Sequence, residues 1–339
     1  MPKRLDLASN FNRLGAPADL IEYLSNTFVK SISAYSGDSM GNIDMSKIAD
    51  FFRLPTNSIA ITDGATEALS LVLHHHAAKP VYIYKPSFWE YDFFAKEVGS
   101  PVTFISASRG NDTPRSIQTA IELSSDGVVV LCNPNNPTGD IVTSEEVAIL
   151  AREHPNHTFV IDETYLWFAG DYRSLTATQY IEHQPNIIVV TSLSKICSVP
   201  GLRIGLLFAH RKQLGHISKA KSPYSVLPIQ IEALQYILLS CQKFLADSVS
   251  SAQYDRKAII RYLKTKSEYS FMPTFANFIF ISAPKSGLAD YMLERGVRVR
   301  SGQEFGDEYK NYIRMRLCEH GSKDWQKVIS SLDDFVRES

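Results

Sequence analysis

Short runs of apolar, mostly β-branched residues alternate along the chain with longer stretches whose apolar positions recur at helical spacing. The runs are Ser58–Thr62 (SIAIT), Val81–Tyr84 (VYIY), Val128–Cys132 (VVVLC), Phe159–Asp162 (FVID), Ile187–Thr191 (IIVVT) and Ile204–Ala209 (IGLLFA). Apolar runs this short, without polar alternation, predict strands buried on both faces of a mostly parallel sheet. Between them Thr66–Ala77 and Ser144–Glu153 read as helices, the second opening on Thr143 and Ser144 as N-cap candidates. Strand and helix in alternation predict a doubly wound α/β domain. From about Ile231 the pattern changes. A helix-rich stretch (IEALQYILLSCQKFLADSV) leads to a strand at Phe275–Ser282, then helix, strand and strand, and a last helix near Trp325–Val336. This second half predicts a smaller α+β domain.

Composition narrows the class without naming a chemistry. The 339 residues suit two or three domains, at roughly 100–200 residues each. With 44% hydrophobic and 21% charged residues the chain has the make-up of an ordinary globular protein with a large core. Lys plus Arg (35) and Asp plus Glu (36) nearly cancel, leaving a net charge of −1. That balance builds no broad positive field for nucleic acid or an anionic membrane. No apolar run approaches the ~20 residues of a spanning helix, and the start, MPKRLDLASN, has no apolar signal-peptide core. Cys132, Cys197, Cys241 and Cys318 lie far apart with no CxxC spacing. They predict no zinc knuckle and a reduced, cytoplasmic setting. His74, His75 and His76 are consecutive on an expected helix end, so they face different directions and predict no metal site.

The polar clusters are placed more tellingly. Asp63-Gly64-Ala65-Thr66-Glu67 follows SIAIT, Asn133-Pro134-Asn135-Asn136-Pro137-Thr138-Gly139 follows VVVLC, and FVID ends in Asp162-Glu163-Thr164-Tyr165. Ser192-Leu193-Ser194-Lys195 follows IIVVT, and Arg203 stands eight residues beyond that lysine. Ligands of open α/β sheets gather at the carboxyl ends of strands, so these clusters predict one shared site. Gly64, Ala65 and Thr66 at a helix start offer N–H groups to a phosphate, and Ser192, Ser194 and Arg203 add hydroxyls and a guanidinium. Lys195 among those groups would have a lowered pKa and could form a Schiff base with a carbonyl. Asp162 could pair with a protonated ring nitrogen, and Asn136 and Tyr165 could bond a phenolate oxygen. Phosphate, aldehyde, pyridinium and phenolate together describe pyridoxal 5′-phosphate.

NPNNPTG, DETY, SLSK and PGLRIG, in this order and spacing, resemble the fold-type I, class I/II aminotransferase family of pyridoxal-phosphate enzymes. The resemblance runs over almost the whole chain. It implies an N-terminal arm over residues 1–30, a large cofactor-binding α/β domain over 31–230 and a small α+β domain over 231–339. It implies Lys195 as the Schiff-base lysine, Asp162 as the ring-nitrogen carboxylate, and Tyr165 and Asn136 as phenolate partners. Gly64, Ala65, Thr66, Ser192, Ser194 and Arg203 match the phosphate cup, and Phe88 matches an aromatic ring stacked on the cofactor. Tyr35 aligns with a tyrosine that reaches the neighbouring subunit's cofactor phosphate, which implies a homodimer with composite sites.

Arg314 aligns with the family arginine that clamps an acidic group of the substrate, and Arg300 with a second arginine of members whose substrates carry a phosphate. With Asn10 and Tyr35 they imply a doubly anionic or phosphorylated substrate. Two subfamilies fit. The motifs Leu5–Asn12, Pro86–Tyr91 and Gly296–Arg300 resemble L-threonine O-3-phosphate decarboxylases of cobalamin biosynthesis, although Arg13 stands where that pattern has proline. The other fit is histidinol-phosphate aminotransferase. On these motifs decarboxylation is the expected reaction and transamination the alternative.

Overall fold

The computed structural model describes residues 4–33, 44–106, 113–122 and 124–338. Among the described residues thirteen strands run along the chain. Eight precede residue 210: β1 (Leu5–Asp6), β2 (Ile59–Asp63), β3 (Val81–Lys85), β4 (Val102–Ser106), β5 (Gly127–Cys132), β6 (His157–Asp162), β7 (Ile187–Ser192) and β8 (Ile204–Ala209). The others are β9 (Ser270–Phe271), β10 (Phe278–Ser282), β11 (Val297–Arg298), β12 (Arg300–Ser301) and β13 (Tyr312–Arg316).

The large sheet has the order β2-β8-β7-β6-β5-β3-β4. Neighbours from β7 to β4 pair in parallel, while β8 pairs antiparallel with both β7 and β2. Every residue of β5, β6, β7 and β8 is buried, as uninterrupted apolar runs require of strands covered on both faces. β4 is the strand that the apolar pattern alone did not mark. It forms the sheet edge with Ile105 as its one buried residue, so it carries no continuous apolar run. The helix expected over Ser144–Glu153 forms with those bounds, and Thr143 and Glu146 close a capping box at its start.

β8 is the strand that completes the site edge. Because it runs against its neighbours, its beginning lies where β2, β5, β6 and β7 end, and Ser192 is in register with Gly205. Gly205 is obligatory by space: a Cβ there would overlap the backbone of Gly64.

The smaller sheet, β12-β13-β10-β9, is antiparallel throughout, and β1 pairs in parallel with β11 beside it. Buried side chains form two clusters. The helix Pro228–Ser240 packs with the first, whereas the helix Gln242–Leu263 serves both, with Leu245 and Ala252 in the first and Ile259 and Leu263 in the second. Leu7, from the N-terminal arm, is buried in the second.

Candidate active site

Where the strand ends of the large sheet meet the smaller sheet there is a cavity of about 290 Å3. It gathers side chains from every cluster singled out in the sequence. Ala65, Thr66 and Phe88 line one side, with Ser192, Ser194, Lys195 and Arg203 beside them. Asn136, Asp162 and Tyr165 also line it, and Asn10, Arg300 and Arg314 reach it from the arm and the smaller sheet. Gly64 stands just behind this wall, in contact distance of Arg203. Tyr35 lies outside the described residues.

The helix Gly64–His75 starts at this cavity, so its first N–H groups, which have no partner within the helix, are available there. Gly64 takes a left-handed φ of 72° and donates its N–H to the Arg203 carbonyl at 2.8 Å. Arg203 is itself left-handed, with φ 49°. A Cβ on Gly64 would overlap its guanidinium, so glycine is what lets Arg203 lie over the helix start. The Ser192 hydroxyl donates to the Ile204 carbonyl at 2.7 Å and accepts from the Ser194 N–H at 3.2 Å. It is thus engaged by the backbone. The Ser194 hydroxyl is buried and has no partner.

Asp162 ends β6 with 5% of its surface exposed. The Tyr91 hydroxyl donates to its Oδ2 at 2.8 Å, and the Thr164 N–H to its Oδ1 at 3.0 Å. Burial raises the carboxyl pKa, while Thr164, Tyr91 and Lys195 oppose the rise. Lys195 moves the other way: burial lowers its pKa, helped by the charges of Arg314 and Arg203. Its Nζ sits 4.8 Å from the centre of the Phe11 ring. Burial pushes the Tyr165 phenol up to about 12, against the pull of Arg314 and of Asn10, whose Nδ2 donates to the phenol oxygen at 3.2 Å.

Arg314 is the most constrained of the cations, at 6% exposed. Its Nη1 donates to Asn136 Oδ1 at 2.7 Å and its Nη2 to the Ala8 carbonyl. With its Oδ1 on Arg314, Asn136 keeps its amide N–H2 as the group to offer elsewhere. Burial lowers the Arg314 pKa to about 10, with Arg300 pushing the same way. Arg300 faces it from β12 and pairs with Glu304 at 3.1 Å.

Several wall residues were not singled out in the sequence: Phe11, Glu90, Tyr91, Cys132 and Thr164. Glu90 and Tyr91 sit in the Pro86–Tyr91 motif, Cys132 precedes the Asn133–Gly139 cluster, and Thr164 lies within the Asp162–Tyr165 cluster without a role of its own. Adjacency to those positions was the available signal.

The chain belongs to the class I and II aminotransferase family, whose model matches residues 3–332. It is 26% identical over 320 residues, 92% of this chain and 85% of the relative, to histidinol-phosphate aminotransferase 1 of Mannheimia succiniciproducens. Two solved structures share its fold. One is L-threonine-O-3-phosphate decarboxylase from Porphyromonas gingivalis, with a TM-score of 0.86 at 24% identity, over 98% of this chain and 99% of that one. The other is histidinol-phosphate aminotransferase from Sinorhizobium meliloti in complex with pyridoxal-5′-phosphate, with a TM-score of 0.86 at 18% identity, over 99% and 91%. The fold is that of the type I pyridoxal-phosphate enzymes, and the cofactor of the family is pyridoxal 5′-phosphate.

The residues present fit that group. Five cavity residues carry a buried polar atom with no partner among the described residues: Asn10 Oδ1, Thr164 Oγ1, Ser194 Oγ, Arg300 Nε and Arg314 Nε. Unsatisfied buried polar atoms are costly and uncommon. The two Nε–H groups and the two hydroxyls are donors that an anionic ligand would relieve, and Asn10 Oδ1 is an acceptor left for a donor such as a substrate amine. The donor set also agrees, with free helix N–H groups, a buried carboxylate and a lysine of lowered pKa on the same cavity.

Proposed function

We propose that the protein is an aminotransferase for a small amino compound carrying a phosphate, of the histidinol phosphate kind. The observation that carries the substrate class is the pair of buried, unpartnered Nε–H groups of Arg300 and Arg314 on the cavity wall. Guanidinium forks are suited to phosphate and carboxylate oxygens. The relatedness to histidinol-phosphate aminotransferases over 92% of the chain puts transamination ahead of the decarboxylation expected from the motifs.

In this reading the first-turn N–H groups of Ala65 and Thr66, the Ser194 hydroxyl and Arg203 hold the cofactor phosphate. Asp162 would keep a proton on the ring nitrogen, Asn136 and Tyr165 would bond the phenolate oxygen, and Phe88 would cover the ring. When bound, the cofactor supplies an electron sink for a bond broken at the substrate's α-carbon. Asp162 is suited to its part because burial holds its carboxyl reluctant to ionise except against a cation. Tyr91 and Thr164 fix both of its oxygens. Lys195, with its lowered pKa, would serve as the base at the substrate's α-carbon. Arg314, anchored on Asn136 and Ala8, orients the anionic end of the substrate. Asn10 is carried in by the arm and fixes the Tyr165 phenol. The four cysteines are free and buried, which suits a reducing compartment such as the cytoplasm.

The test is to give the loaded protein histidinol phosphate and 2-oxoglutarate and to measure glutamate. Sustained glutamate formation is expected, and none would overturn the reading. Decarboxylation is the second reading, favoured by the fold match to the Porphyromonas enzyme and by Phe88 in Pro86–Tyr91. Release of CO2 from O-phospho-L-threonine without a 2-oxo acid would establish it instead.

A further inference from the structure

Glu90 is the one wall carboxyl besides Asp162 among the described residues, and none of the steps above uses it. It opens the helix Glu90–Glu97 and is partly buried, and its Oε2 accepts from the Thr66 hydroxyl at 3.1 Å. Thr66 belongs to the first turn of the helix whose free N–H groups face the cavity. A carboxylate is thus hydrogen-bonded to the anion seat itself. The charged groups facing it come from three other elements: Asp162 at the end of β6, Lys195 after β7, and Arg203 before β8.

A threonine hydroxyl has one proton to give. While it points at Glu90 it cannot point at a phosphate oxygen. An ionised Glu90 would also oppose a phosphate dianion drawn by the same Arg203 and Lys195. A protonated Glu90 carries no charge to oppose the phosphate, and it can donate its own proton to the Thr66 oxygen, which leaves the Thr66 hydrogen free for a phosphate oxygen.

We propose that the Glu90 carboxyl gates the cofactor's phosphate seat by its protonation, so that the seat accepts phosphate well when Glu90 is neutral and poorly when it is ionised. Burial already raises the pKa of this carboxyl, chiefly by desolvation, and Asp162 adds to the rise while Thr66, Arg203 and Lys195 oppose it. The sign follows from linkage. An anion bound beside Glu90 raises its pKa further, so binding takes up a proton between the pKa of the empty seat and that of the filled one. Affinity is greatest below that window, falls through it as pH rises, and levels off above it.

The experiment compares the full chain, freed of cofactor, with its Glu90→Gln variant. The probe is pyridoxamine 5′-phosphate, which has no aldehyde and makes no bond to Lys195. Dissociation constants are measured from pH 5.5 to 8.5, and inorganic phosphate is used as a competitor for the same seat. Titration of Lys195 and of the ligand's phosphate is common to both proteins, so the ratio of their constants isolates Glu90. The ratio of wild-type to variant constant should rise with pH by about tenfold for each unit that phosphate shifts Glu90, and then flatten. A ratio that is the same at all pH values would overturn the proposal, as would a variant weaker than wild type throughout. Glu90→Ala also lacks the carboxyl and serves if the Gln variant does not fold. No substrate is present, so failure of the aminotransferase reading would leave this result untouched.

Discussion

Arg300 on β12 and Arg314 on β13 are register partners across an antiparallel pair, two guanidinium side chains opposite each other on one cavity wall. Like charges directly opposite on a sheet are destabilising. Glu304 forms its ion pair with Arg300, and Arg314 is buried with no partner for its Nε among the described residues. Such a pair is stable in company with an anion, and under the proposed function that anion is the substrate's anionic group.

The two arginines should therefore differ in weight. Arg314→Ala removes a buried, charge-assisted anchor and should raise KM for a phosphorylated substrate roughly 30–150-fold, the equivalent of about 2–3 kcal/mol. Arg300→Ala, already paired with Glu304, should raise it less. Both variants should keep the visible absorbance of the loaded protein, which steady-state kinetics and a spectrum together will check. Loss of that absorbance in Arg314→Ala would mean that the residue holds cofactor instead.

Tyr91 acts through Asp162. Its hydroxyl donates to Asp162 Oδ2 at 2.8 Å and is fully buried, and Tyr91→Phe leaves the ring packing in place. The expected loss in kcat is about tenfold, in line with ~1–1.5 kcal/mol for one hydrogen bond. Asp162→Asn should lose roughly 10²–10³-fold. A Tyr91→Phe enzyme with an unchanged kcat and pH profile would show that the bond is only structural.

Glu163 makes a stability prediction with a definite sign. It is fully buried, accepts from the Tyr172 and Thr176 hydroxyls and from the Ala177 N–H, and burial raises its pKa to about 7. Between its unfolded value of 4.5 and about 7 the folded chain holds a proton that the unfolded chain has lost. Stability from this group therefore falls as pH rises through that window and is constant above it. Glu163→Gln fits the same partners, because both hydroxyls can turn to accept while Oε1 keeps the Ala177 bond. Thermal midpoints measured across pH 4.5–7 should decline less steeply for the variant; parallel curves would contradict this.

Arg13 ties the arm to the helix Gln242–Leu263 through an ion pair with Asp255, whose side chain is 1% exposed. Arg13→Ala strands that carboxylate and should destabilise the protein by about 3–5 kcal/mol. Double substitution with Asp255→Asn should restore much of the loss, and a thermal melt of the single and double variants will show it. The same arm carries Asn10 to the Tyr165 phenol, so the single variant should also raise KM.

Legibility in the sequence followed physical demand. β5, β6, β7 and β8 were readable because burial on both faces forces unbroken apolar runs. β4 was not, because an edge strand with one buried residue obeys no such rule. Tyr91 and Glu90 were visible as members of a motif but without a partner. Their bonds reach Asp162, 71 residues away, and Thr66, 24 residues away. The Ser192 hydroxyl, expected at the phosphate, is taken by the Ile204 carbonyl, a consequence of β7 and β8 lying side by side.

By itself the sequence determined the residue types, their order behind successive strands, and hence the family and its cofactor. Those features are local: an apolar run makes a buried strand, and a polar cluster after it lies at the strand's end. Only the tertiary structure decided that β8 runs backwards and brings Arg203 to the same edge, that Arg300 faces Arg314, and that Glu90 bonds Thr66 at the start of the helix Gly64–His75. These depend on contacts between segments distant in the chain, where sheet register and packing, not neighbouring residues, set which side chains meet.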